Sequence, residues 1–240
     1  GIGILIFNLS SSLLAILAII KLIPKNNYLL AIALMCSYPF LYYQFSFYPE
    51  APIILCSIIN LALLIRIVQY QRLNLIPLFF LIILLEVPLR ITSVFWLFGL
   101  IPLVSKKNYW YYGSLIVSGV LIGFLYMKFF CAPAFARGLA NLDQAAEKSI
   151  INFITDTLHI LGSNTLTIFR EHNLTVLTFY LLLIIAGVLA LFKRNKIILS
   201  IGSISIISTL VFMSFYSTLS FFFIKQTFFL WPLMIYGIFL

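Results

Sequence analysis

The feature that most limits what this chain can fold into is a recurrence of apolar runs. Each is close to the ~20 residues that cross a bilayer as a helix, and short connections between them carry most of the charge. With 63% hydrophobic and 9% charged residues, against about 25% charged in an ordinary soluble domain, the runs leave no room for a soluble core of usual size. An unpaired backbone polar group is costly in lipid, so spanning segments must be helices or closed barrels. Uninterrupted apolar runs exclude the in-out alternation of a barrel.

The sequence therefore predicts an all-α, polytopic transmembrane helix bundle, a single transmembrane domain over 1–240. About nine segments are expected, near 3–20, 28–46, 51–68, 75–87, 91–104, 110–130, 174–192, 197–217 and 227–240. The formal charge of +9 does not point to nucleic acid here, because the basic residues mark turns between segments as membrane topology requires.

Alternate connections hold Lys21 and Lys25, Arg66 and Arg72, Lys106 and Lys107, then Lys193, Arg194 and Lys196. These face the cytoplasm. The others hold all six acidic residues, Glu50, Glu86, Asp143, Glu147, Asp156 and Glu171, and so face outward, into the periplasm or a lumen. This sorting makes residues 75–104 a hairpin that leaves the cytoplasmic side and returns to it. At about 13 residues, or roughly 20 Å as α-helix, each arm falls short of a ~30 Å hydrocarbon core. The tip, "LLEVPLRITS", is expected below the outer surface, where interrupted helices are tolerated if protein or water lines them.

Residues 131–173 read as an extracytoplasmic loop. Within it, 141–161 reads as an amphipathic helix with Leu142, Ile150, Phe153, Ile154, Leu158 and Leu161 toward one face. Asn141 or Asp143 is placed to cap it and Gly162 to end it. It lies either along the outer membrane surface or against the bundle. His159 and His172 have no Cys or carboxylate at ligand spacing, and Cys36, Cys56 and Cys131 suggest neither a metal site nor a disulfide framework.

A few polar residues remain as candidates. Glu50, after Pro49, is either an interfacial carboxylate beside a helix start or a group facing an outer cavity. Glu86 and Arg90 would pair on a continuous helix, but Pro88 stands between them. Arg90, with Thr92 and Ser93 beyond it, otherwise offers donors suited to phosphate. Lys225 either snorkels to the interface or meets an anionic head group.

The order of these features resembles the multi-pass glycosyltransferases of the GT-C type that use polyprenyl-phosphate sugars. Among them are protein O-mannosyltransferases, the aminoarabinose transferase of lipid A and the dolichyl-phosphate-glucose glucosyltransferases. Pro39, Leu41, Tyr43 and Glu50 match a proline-leucine-tyrosine stretch followed by an acidic residue; Arg90 and Thr92 match a short hairpin tip; Lys225 to Pro232 loosely matches a late stretch entering a helix, with Lys for Arg.

The resemblance implies transfer of a sugar from a polyprenyl- or dolichyl-phosphate donor to a glycan, lipid or protein hydroxyl on the outer face. The compartment would be a bacterial or archaeal plasma membrane or the endoplasmic reticulum. It makes Arg90 and Lys225 phosphate-binding, Glu50 a supporting catalytic group, and Glu86, Thr92 and Arg137 secondary candidates. A divalent metal ion is the one cofactor implied. The catalytic Asp of such enzymes lies in a first outer loop, which is expected to precede Gly1. The competing expectation is a non-enzymatic multi-pass protein, either a lipid-carrier flippase or a respiratory-complex membrane subunit. Against the latter, only Glu86 and Lys128 suit a chain of mid-membrane charges.

Overall fold

The computed structural model describes residues 2–24, 26–37, 40, 50–89, 91–105, 107–130, 195–215, 230–238 and 240, with scattered helical positions between 152 and 188. Among these residues the protein is all helical, with no strand. The elements are α1 (Ile2–Leu22), α2 (Asn27–Met35), α3 (Glu50–Val68), a short 3-10 turn (Leu73–Leu75), α4 (Ile76–Glu86), a long 3-10 helix (Ile91–Leu103), α5 (Tyr109–Phe130), α6 (Lys196–Phe215) and α7 (Trp231–Ile238). Among the described residues two helices, Ile2–Leu22 and Ala51–Val68, are long and apolar enough to cross a membrane.

α3 is the hub. It is apolar nearly all round, as a helix buried on every side must be, and it packs against α1, α4, α6, α7 and the long 3-10 helix. α1 is its most extensive partner and has an inverted polarity. The face that α1 buries carries Asn8, Ser11, Ser12, Ala15 and Ile19, while Ile2, Ile6, Phe7, Leu13, Leu14 and Leu17 are exposed. Small residues on the hidden side let two backbones approach closely, which is how helices associate where the surroundings are as apolar as leucine.

The segment expected over 28–46 is interrupted. α2 stops at Met35, and the backbone N–H and hydroxyl of Ser37 both donate to the Leu34 carbonyl, at 3.0 and 2.7 Å. These bonds tighten the last turn, and Pro39 disfavours helical geometry at the residue before it. Within residues 131–173, Asn152, Thr155, Asp156, Leu158, His159, Gly162 and Ser163 are helical. Gly162, placed by the sequence to end the helix, is itself helical. The remainder of 141–161 and most of 174–192 lie outside the described residues.

The two arms expected over 75–104 touch each other, but the second arm is not α-helical. Over Ile91–Leu103 the backbone is 3-10, so side chains three apart eclipse and form columns. Val94, Leu97, Leu100 and Leu103 make a fully buried column; Ser93, Trp96 and Gly99 make a second; Phe95, Phe98 and Ile101 make the half-buried third, with the Phe95 and Phe98 rings stacked at 6.0 Å. At about 2.0 Å per residue this arm is about 26 Å long, and the first arm, with its leading 3-10 turn, is about 22 Å.

Three glycines seat the 3-10 helix. A Cβ on Gly99 would stand 2.9 Å from Leu64 and Ile204 side-chain carbons. One on Gly119 would meet Leu97 at 2.6 Å and Phe80 at 2.5 Å, and one on Gly123 would meet Val94 at 2.5 Å. Gly119 and Gly123 lie one turn apart on α5, a small-xxx-small pair that the sequence reading did not single out.

Candidate functional site

The most unusual polar group is Glu86, the last residue of α4, which has 0% of its surface exposed. Its two carboxyl oxygens are held from α3. Ser57 Oγ donates to Oε1 at 3.1 Å and Asn60 Nδ2 donates to Oε2 at 2.9 Å. Ser57 and Asn60 are three apart, hence on one helical face, and both are fully exclded from solvent. Ser93, on the returning arm and also fully buried, turns its hydroxyl toward the same carboxyl without reaching standard hydrogen-bond geometry. Three elements, α3, α4 and the long 3-10 helix, thus converge on one side chain.

Each contact has a physical reason. A buried carboxyl is very costly without partners, and hydrogen bonds to it are stronger than neutral ones. The donors here are neutral, and no Lys, Arg or His among the described residues is paired to Glu86. Helix polarity makes matters worse, since a carboxylate at a helix C-terminus meets the negative end of the dipole. The cluster therefore fixes the hairpin to α3, and no described residue gives the carboxyl a countercharge.

Pairing of Glu86 with Arg90 at helical spacing, one of the two readings of these residues, required a continuous helix, and α4 ends at Glu86. Residues 87–89 are turns, with Leu89 N–H donating to the Glu86 carbonyl at 2.9 Å. Arg90 itself lies outside the described residues, as do Lys225 and Arg137. Thr92 is buried in the first turn of the 3-10 helix. Glu50 is the first residue of α3, where a carboxylate suits the helix dipole; its side chain is not described. Among the described residues no three His, Cys, Asp or Glu side chains gather as a metal-binding group.

No family model, curated protein or solved structure matches the chain. Ser57 and Asn60 are what the sequence reading missed. Their signal was present: two polar residues at i, i+3 inside the apolar run of 51–68, which in lipid calls for a polar partner at the same depth.

Proposed function

We propose that the chain is a multi-pass membrane protein and the membrane core of a GT-C type glycosyltransferase. It would move a sugar from a polyprenyl-phosphate donor to an acceptor hydroxyl on the outer face. The observation that carries this reading is the hairpin of residues 73–103. Both arms are shorter than a ~30 Å hydrocarbon core, one is 3-10, and the tip is tied to α3 through Glu86. Arg90 belongs to this tip by sequence, the resemblance makes it phosphate-binding, and fixed positive charge in a dry site stabilises a departing phosphate. The apolar outward face of α1 supports the membrane part of the reading, since a helix in water hides leucines and shows its asparagine and serines.

In this mechanism an outer-face carboxylate takes the proton of the acceptor hydroxyl, whose oxygen attacks the anomeric carbon. The bond to polyprenyl phosphate breaks with its electron pair leaving on phosphate, opposite Arg90 and Lys225. Glu50 orients the acceptor.

Transfer from a radiolabelled polyprenyl-phosphate sugar, measured in membranes of cells expressing the protein, tests this. Arg90→Ala and Lys225→Ala are each expected to lower the rate about 10²-fold, the usual loss when one charge-stabilising donor is removed. Glu50→Gln is expected to lower it less. Unchanged transfer in all three variants rejects the site, and no transfer from any such donor favours a carrier without enzymatic activity.

A further inference from the structure

The Glu86 cluster contains more oxygen than its hydrogen bonds use. Asn60 Oδ1 and Ser93 Oγ are buried and have no hydrogen-bond partner. Asn60 already donates through Nδ2 to Oε2 at 2.9 Å, so its Oδ1 stands within about 5 Å of the carboxylate, given the fixed geometry of an amide. Both carboxyl oxygens accept hydrogen bonds. Their partners are neutral and the end of α4 adds negative partial charge. To carry a negative charge in this setting the carboxyl needs a cation beside it.

We propose that this cluster is a sodium-ion site within the membrane, formed by the Glu86 carboxylate, Asn60 Oδ1 and Ser93 Oγ. The chemistry favours a hard monovalent ion. All the donors are oxygen, one negative charge balances one positive charge, and no second carboxylate among the described residues joins the group as a divalent ion would want. Broken helices whose C-terminal ends face a cation at membrane depth are a recurrent way of holding sodium. The bound ion would couple α3, α4 and the 3-10 helix. The site stands whether or not the protein transfers sugar.

The test is thermal unfolding of the protein in detergent, in sodium chloride and in choline chloride of equal ionic strength. Sodium is expected to raise the melting temperature of the parent by about 3–6 °C, the size expected for a ligand in clear excess over its dissociation constant. In Glu86→Gln the shift should vanish. That variant keeps the fold, because the Gln oxygen accepts from Asn60 and its amide nitrogen donates to Ser57. Should it fail to fold, equilibrium binding of radioactive sodium to the parent decides: one ion per chain supports the site and none overturns it. Equal melting in both salts, or a sodium shift that survives in Glu86→Gln, overturns it. So does a shift that appears only in Arg90→Gln, since Arg90 would then be the countercharge.

Discussion

Glu86→Ala is expected to be the most destabilising single substitution in the described bundle, by about 3–5 kcal/mol. Two effects add. Removing the side chain leaves a cavity where three elements meet, and it orphans the buried donors of Ser57 and Asn60, each at about 1–3 kcal/mol. Glu86→Gln keeps shape and hydrogen bonding, so in choline it should fall within about 1 kcal/mol of the parent. A double-mutant cycle of Glu86→Ala with Asn60→Ala, followed by reversible unfolding in detergent, should give a coupling of about 1–3 kcal/mol. Additive losses would mean that the bond from α3 to the hairpin tip contributes nothing.

Gly123→Leu is expected to have the next largest effect, with Gly119→Leu close to it. A Cβ at Gly123 already meets Val94 at 2.5 Å, and a β-branched valine has little rotamer freedom with which to yield. Overpacking of this kind costs about 1–3 kcal/mol, and here it also pushes the 3-10 arm away from α5. Gly113 is the control, because no atom lies within 4 Å of a Cβ placed there. Gly113→Ala should be neutral or stabilise by up to about 1 kcal/mol, the usual gain from removing a helix-interior glycine. Melting temperatures of the three variants give the comparison, and similar losses in all three would contradict the packing described.

Helix positions were legible in the sequence because long apolar runs bounded by charge, without in-out alternation, favour helices. Residues 51–68, 75–87 and 110–130 correspond to α3, α4 and α5 within a residue or two. The interruption after Met35 was less legible, although Ser37 and Pro39 are its cause. The 3-10 form of residues 91–103 was not legible at all, since an unbroken apolar stretch reads the same at a period of 3 or 3.6. Burial in columns, set by neighbours as distant as Ile204, distinguishes the two. At the site, local spacing offers Arg90 as one partner for Glu86, with Pro88 between them against it. The actual partners of Glu86 are 26 and 29 residues away on α3, a pairing that depends on how the hairpin folds back.

The most direct test of the whole account is the sidedness of the hairpin. With Cys36, Cys56 and Cys131 replaced, single cysteines are introduced at Gln71 and Lys107, the exposed residues that flank its two arms, and at Glu50. They are then probed with a membrane-impermeant thiol reagent in intact and in permeabilised cells. The account predicts that positions 71 and 107 react only after permeabilisation and that position 50 reacts in intact cells. Labelling of 71 and 107 from opposite sides of the membrane would contradict it, because residues 73–103 would then cross the bilayer and Glu86 would not lie at the tip of a hairpin.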